Sequence, residues 1–336
     1  MTNDQVPDLV DTALLTRSGS EVREVAGSCF CCNFPGLQKA IQSLVEGGAD
    51  CVLAEPVGSC TDLSATILQP LKDRFPEYAI APLSVLVDPA RVHGVLQADQ
   101  TLLHADAAYI LRLQIAEADR IVLSKADTLP VEELRELSDF LRDHFPHASV
   151  KPVSALTGEG VDGWMRDVLG GAPAGNRIVE VDYDRYAEGE AVLGWLNAVV
   201  TLTATGDSVD WAAFTSGLFA AMQRRLVEQR AEVGHLKALL DCGGGRLLAN
   251  LTGVNERVSL RKDGVLQELT ASLTMNARVQ VSPEEMELLF REALDEICAG
   301  AVTFAVTSFH CIKPGRPQPT YRYDRTVNDG SPRLRH

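Results

Sequence analysis

The sequence predicts an α/β fold: a mostly parallel sheet in the first half, then a smaller α+β domain. Three observations predict it. Short continuous apolar runs, Cys51–Glu55, Ala81–Val87, Arg120–Leu123 and Ser149–Val153, alternate with helix-patterned stretches, as in parallel sheets covered on both faces. Polar motifs follow the carboxyl ends of these runs, where open α/β sheets bind ligands. The linker Gly170-Gly171-Ala172-Pro173-Ala174-Gly175 then separates this half from a region of longer β-type runs.

The elements follow in order. Glu21–Val25 is short and β-prone and leads into Cys29-Phe30-Cys31-Cys32. Gly36–Glu46 places Leu37, Ile41, Leu44 and Val45 on one helical stripe. Tyr109–Ala118 and Val131–His144 are also helical, and a further helix starts at Val161. Beyond the linker, Ala191–Ala204 reads as a long strand and Val209–Glu228 as a long helix. Val233–Leu240, Arg246–Leu251 and Leu269–Val281 are strands, and Pro283 sits near the start of a last helix ending near Ala299. The expected organisation is a nucleotide-binding-type domain over 1–172, an α+β domain over 178–305, and a loose, proline-rich tail over 306–336.

The 336 residues hold 31 basic and 46 acidic side chains, a formal net charge of −15. That balance argues against nucleic acid and anionic membranes as partners, since both need basic patches. No apolar run reaches the ~18 residues of a membrane span, and Met-Thr-Asn-Asp-Gln does not read as a secretory leader. The expected compartment is the cytoplasm, where thiols stay reduced and clustered cysteines read as metal or redox chemistry.

Cys29, Cys31 and Cys32 put three of the eight thiols into one tetrapeptide. Disulfide geometry makes pairing within it strained, whereas thiolates converge readily on zinc or copper(I). The alternative is a buried, inert turn. Glu55-Pro56-Val57-Gly58 can hold Mg²⁺ or a water through Glu55 and admit a phosphate at the Gly58 backbone; it also reads as a plain turn. In Ser124-Lys125-Ala126-Asp127, Asp127 can accept both hydrogen bonds from guanine and the Lys125 stem can lie over the base, or Asp127 can cap the next helix. Ser154-Ala155 opens a polar loop whose backbone amides can approach a base oxygen, or which is a loop and no more.

Taken together and in this order, these motifs resemble the CobW family of GTP-dependent metal chaperones, in the GTPase group that includes UreG and HypB. Cys29-Phe30-Cys31-Cys32 matches that family's Cys-x-Cys-Cys hallmark, and Glu55-Pro56-Val57-Gly58 its Glu-x-x-Gly. Ser124-Lys125-Ala126-Asp127 matches Asn-Lys-x-Asp, with Ser for Asn, and Val153-Ser154-Ala155 matches the last guanine loop. Asn3-Asp4-Gln5 and Leu9-Val10-Asp11 are similar to its Asn-Glu-Phe-Gly…Asp switch segment. The resemblance implies a P-loop-NTPase-like sheet and binding of GTP, Mg²⁺ and Zn²⁺ or Co²⁺. It assigns Glu55 and Gly58 to hydrolysis, Ser124, Lys125, Asp127, Ser154 and Ala155 to guanine, and Cys29, Cys31, Cys32, Asp4 and Asp11 to metal. A client metalloprotein is the implied partner, with a link to metalloenzyme or cobalamin metabolism; a homo-oligomer is left open.

One departure stands out. Gly-x-x-x-x-Gly-Lys-Ser/Thr, whose amides cradle phosphate, does not occur in this sequence. Gly243-Gly244-Gly245-Arg246 is the nearest glycine cluster and reads as a hairpin turn. The expectation is that the first strand and phosphate loop lie upstream of this start; the rival is a metal-binding adaptor without hydrolysis, and a redox sensor is the third reading. Cys60 and the pair His310 and Cys311 read as metal auxiliaries or as packing. His93, His104, His144 and His147 show no metal spacing.

Overall fold

The computed structural model describes residues 1–92 and 105–327; His93 and His104 lie outside the described residues. In chain order the strands are β1 (Thr2–Asn3), β2 (Glu24–Val25), β3 (Ser84–Val87), β4 (Arg120–Leu123), β5 (Ser149–Pro152), β6 (Gly194–Ala204), β7 (Val233–Asp241), β8 (Gly245–Leu251), β9 (Ser259–Gly264), β10 (Thr270–Val279) and β11 (Val302–Ile312). The helices are α1 (Val10–Arg17), α2 (Phe34–Glu46), α3 (Gln69–Arg74, entered through a π-helical turn), α4 (Pro89–Val92), α5 (Ala105–Glu117), α6 (Val131–His144), α7 (Val161–Leu169), α8 (Tyr183–Ala191), α9 (Trp211–Glu228) and α10 (Pro283–Cys298). They form two compact units interleaved along the chain: residues 1–29, 36–57 and 190–315 in one, 30–35, 58–189 and 316–336 in the other.

The first unit is built on an antiparallel sheet of order β11-β6-β10-β7-β8-β9. Period-2 alternation divides its residues. Leu196, Ala198, Val200, Leu236, Ala238, Leu240, Leu273, Met275 and Ala277 join the aromatic and aliphatic stripes of α9 and α10 in one core. Both helices start at sequence-encoded caps. Asp210 accepts from the Ala212 and Ala213 amides at α9, and Ser282 with Glu285 forms a capping box at α10. The alternate residues are polar and hold the start of the chain. Asn197 and Asn276 stand opposite each other in the β6–β10 register, both fully buried. Asn276 accepts from the Val10 amide (2.8 Å) and donates to the Asp8 carbonyl (2.9 Å). Asn197 donates to the Pro7 carbonyl (2.8 Å) and the Asp4 carboxylate (3.1 Å). Arg278, stacked 4.3 Å over Trp195, closes a buried ion pair with Asp4. Removing one partner of such a pair leaves a buried charge uncompensated, at a cost on the order of 3–5 kcal/mol.

The second unit contains the parallel sheet β3-β4-β5. Val87, Leu123 and Pro152 end in one row. Val87, Ile121, Leu123 and Val150 pack with Ile115 of α5 and Leu137 and Leu141 of α6. The parallel pairing and the β4 and α6 limits are as the sequence predicts. Cys51–Glu55, however, pairs with no strand among the described residues, and Leu53 is 71% exposed. Nor is the sheet covered throughout, since Leu86 on β3 is 58% exposed. The predicted tail also differs. Residues 306–312 are the second half of β11, paired with β6, and residues 316–327, though irregular, are tied down by specific bonds described below. Gly243 to Gly245 is the expected hairpin turn joining β7 and β8, with Gly243 at φ +79°.

The buried carboxylates of this unit include Asp62 and Glu117. Asp62, at φ +62°, accepts from the Tyr183 hydroxyl (2.7 Å) and from Arg322 (2.7 and 3.4 Å). Glu117 of α5 accepts from the Thr61 hydroxyl and the Ser64 amide, each at 3.0 Å. Burial pushes the Glu117 carboxyl up to about 8, against those two hydrogen bonds and with a further upward push from Asp62. Its folded value thus exceeds the ordinary 4.5, so the folded unit holds a proton that the unfolded chain releases. The stability this provides is complete below about pH 4.5 and is lost as pH rises through about 8. The slope is at most about 1.4 kcal/mol per pH unit. Urea unfolding between pH 5 and 8 should therefore show falling stability. Glu117→Gln, whose amide oxygen can accept from the Ser64 amide while its NH2 donates to the Thr61 hydroxyl oxygen, should flatten the trend; an unchanged slope contradicts the protonated Glu117.

Candidate functional site

The thiol turn follows from local chain geometry. Gly27, at φ +91°, turns the chain after β2, and the Asn3 amide donates to the Val25 (2.7 Å) and Ser28 (2.8 Å) carbonyls on its entry. Cys29, Phe30 and Cys31 are buried and Cys32 is half-buried. The turn runs into the first turn of α2, an end that favours negative charge. None of the eight cysteines is in a disulfide. The sulfurs of Cys29, Cys31 and Cys32 all lie within 4.8 Å of one another, and Cys31 Sγ to Cys32 Sγ is 3.7 Å. Zn–S bonds of about 2.3 Å at tetrahedral angles set sulfurs roughly 3.8 Å apart, so the spacing fits such an ion with little movement.

Among the described residues, the group able to converge on a metal comprises these three cysteines and neither Asp4 nor Asp11. Asp4 lies in the buried pair with Arg278. Asp11 is paired with Lys237 of β7. Glu55 stands near that pair. Its pKa is raised, first by desolvation and then by the Asp11 charge, against the pull of Lys237. The Glu55 side chain nevertheless reaches solvent. Cys60 is buried outside the thiol group. Cys311 donates to the Pro283 carbonyl at 3.2 Å, and burial pushes its thiol up to about 11, as for a packed strand residue. His144 stacks on Phe140 at 4.0 Å, and His147 meets Arg177 at 3.2 Å.

The parallel sheet lines up the remaining motifs at its carboxyl edge. Ser124 bonds the Val87 carbonyl through its amide (2.9 Å) and hydroxyl (2.8 Å). Lys125 sits in the left-handed region at φ +54°, and its ammonium meets Asp88 at 2.5 Å. Sequence reasoning gave Asp88 no role; its place just after β3 was the available signal. The Ala126 amide bonds the Val153 carbonyl (3.1 Å), joining the loops after β4 and β5. Asp127 lies in a 3₁₀ turn and is exposed. The N-cap of α6 is Pro130, so Asp127 does not cap that helix. Ser154 is fully buried and organises its loop: its hydroxyl accepts from the Thr157 amide (3.1 Å) and its amide donates to the Glu159 carbonyl (2.9 Å). Gly160 closes the loop at φ +77°, where a Cβ would lie 2.3 Å from the Pro152 carbonyl oxygen. Ala155 is exposed at the rim. Gly58 holds the Gln114 amide through its carbonyl (2.9 Å), and a Cβ there would meet open space. The edge thus presents an uncapped carboxylate beside backbone amides, a set that can read the donor edge of a purine.

A second set of contacts at the thiol turn has no signature in the sequence. The Gln318 amide donates to Cys32 Sγ at 3.1 Å. Thr320 donates its amide to the Cys31 carbonyl (2.8 Å) and its hydroxyl to the Cys32 carbonyl (3.1 Å).

Comparison with known proteins agrees with the motif order. Residues 1–152 match the family described as CobW/HypB/UreG, nucleotide-binding domain. Among solved structures, the chain is similar to the Zn(II)-bound YjiA GTPase from E. coli, at 19% identity over 80% of this chain and 79% of that one, with a TM-score of 0.26. A Zn(II)-bound triple mutant of YjiA gives the same identity, coverage and TM-score. None of the curated proteins matches the chain. Among the described residues, no helix is long and apolar enough to cross a membrane.

Proposed function

Because residues 1–152 match the CobW/HypB/UreG nucleotide-binding domain, we propose that this chain is a guanine-nucleotide-dependent carrier of a thiophilic transition metal. Zinc or cobalt is the cargo, and Cys29, Cys31 and Cys32 are the site that holds it before transfer to a client metalloprotein. The observation that carries the reading is the convergence of three thiol sulfurs within 4.8 Å of one another. Three protein ligands leave a tetrahedral ion one open position, which suits cargo that must be handed on, since a client ligand can enter there before the thiolates let go. A cobalt cargo would place the client in cobalamin metabolism, and the working compartment would be the reducing cytoplasm.

On the nucleotide side, Asp127 would accept from the guanine ring N–H and exocyclic amino group. Ala155, at the exposed end of the loop that Ser154 organises, would face the base oxygen, and Ser124 and Lys125 would shape the pocket. GTP with Mg²⁺ would supply the charge change that couples nucleotide state to metal release, with Glu55 and Gly58 on the phosphate side. The Gly-x-x-x-x-Gly-Lys-Ser/Thr cradle does not occur in these 336 residues.

Competition with a chromophoric chelator under reducing conditions should give one zinc per chain. Cys31→Ser/Cys32→Ser should weaken binding at least about 100-fold, as expected when two of three ligands are lost; equal binding by the variant contradicts the assignment. The base-recognition half has its own measurement. Asp127→Asn replaces an acceptor by a donor and should shift preference from GTP towards XTP by about 10-fold or more, since each mismatched buried polar group costs about 1–3 kcal/mol. An unchanged preference removes Asp127 from the pocket.

A further inference from the structure

The contacts between residues 316–327 and the thiol turn do more than pack a chain end. Arg316 is held by Asp184 at 2.6 Å. Gln318 and Thr320 then cross the turn, with one bond to a ligand sulfur and two to the carbonyls of Cys31 and Cys32. Tyr321 meets Phe34 edge-on at 5.2 Å, and Arg74 covers its ring at 4.5 Å. Arg322 pairs with Asp62, whose side chain is 1% exposed, and also donates to the Val179 carbonyl at 3.0 Å. Tyr323 reaches Asp73 at 2.5 Å and the Ala65 carbonyl at 3.0 Å. Val327 donates to Gln69 at 2.7 Å. Each anchor belongs to the same unit as residues 30–35.

We propose that residues 316–327 are a strap that belongs to the metal site, with Gln318 and Thr320 as positioning residues. The Gln318 N–H bond orients Cys32 Sγ and offsets its charge, and the Thr320 bonds fix the backbone that carries Cys31 and Cys32. The inference rests on the zinc reading given above. A thiolate that receives an N–H bond keeps its orientation and spreads its charge, and outer groups of this kind set metal affinity by about 10–100-fold. The anchor at Arg322 and Asp62 lies four residues from the contact, so the strap is held without help from a bound metal and the turn is preset for it. Pro317 and Pro319 flank Gln318. They hold the segment extended and leave the Gln318 amide as the donor at that point, since proline has none.

The sequence allows a single-atom test. Gln318→Pro removes the N–H at a position already biased to extended backbone, whereas Gln318→Ala keeps it. Zinc affinity of the full chain is measured by chelator competition, with thermal melting alongside. Gln318→Pro should bind one zinc about 10-fold or more weakly, with Gln318→Ala like the parent. With Co²⁺ as the probe, the sulfur-to-metal charge-transfer band should move to lower energy in Gln318→Pro alone, a readout that a purely structural role would leave in place. If Gln318→Pro does not fold, Asp62→Asn/Arg322→Gln frees the strap without stranding a buried charge and should give the same weakening. Equal zinc affinity in the parent and the strap variants overturns the proposal while the zinc reading stands. Tighter binding in Gln318→Pro also overturns it, since the strap would then compete with the metal. A parent chain that binds no zinc overturns the zinc reading and this inference with it.

Discussion

The second unit is organised around two neighbouring buried carboxylates whose surroundings treat charge differently. Asp62 receives Arg322 and the Tyr183 hydroxyl. Glu117, a few residues away in space through Thr61 and Ser64, has neutral donors and holds its proton up to about pH 8. This division of charge fixes several elements at once. It ties α5 to the turn that leads into α3, brings Tyr183 of α8 onto the same carboxylate, and recruits Arg322 from the far end of the chain. The strap across the thiol turn is therefore anchored in part by an ion pair to a buried carboxylate.

The first unit meets a related constraint in another way. A six-stranded sheet packed on one face by α9 and α10 leaves a second face to cover. Asn197, Asn276 and Arg278 on that face bind the backbone and Asp4 of the first ten residues. Paired asparagines opposite each other on β6 and β10 give the extended segment the hydrogen bonds that a helix would satisfy internally. The segment that the resemblance assigns to a switch is thereby held at four points. A change in its conformation would have to break the buried Asp4–Arg278 pair.

Much of this was legible in the sequence where the signal is local. Arg120–Leu123 and Val131–His144 match β4 and α6 because a short apolar run and a 3.6-residue stripe each specify their own element. The thiol cluster is legible because three ligands in four residues cannot move far apart. Cys51–Glu55 failed as a strand because apolarity signals burial between neighbours; the run bonds Met1 through the Leu53 carbonyl and the Glu55 amide but joins no longer ladder among the described residues, and Leu53 faces solvent. β11 was not predicted as a strand, and a tail boundary at 306 divided its residues, although the prolines begin only at Pro314, after the ladder with β6 is complete. The strap and Asp62 left no trace. One works through backbone amides, which every sequence has, and the other takes its burial and its positive φ from tertiary context.

The central claim is that the turn at residues 29–32 is a sulfur site for a transition metal. X-ray absorption at the zinc edge of the loaded full chain tests it most directly. Three sulfur neighbours at about 2.3 Å, lost when Cys31 and Cys32 become serine, are the predicted result. A shell of nitrogen and oxygen at about 2.0–2.1 Å with no sulfur would contradict the account.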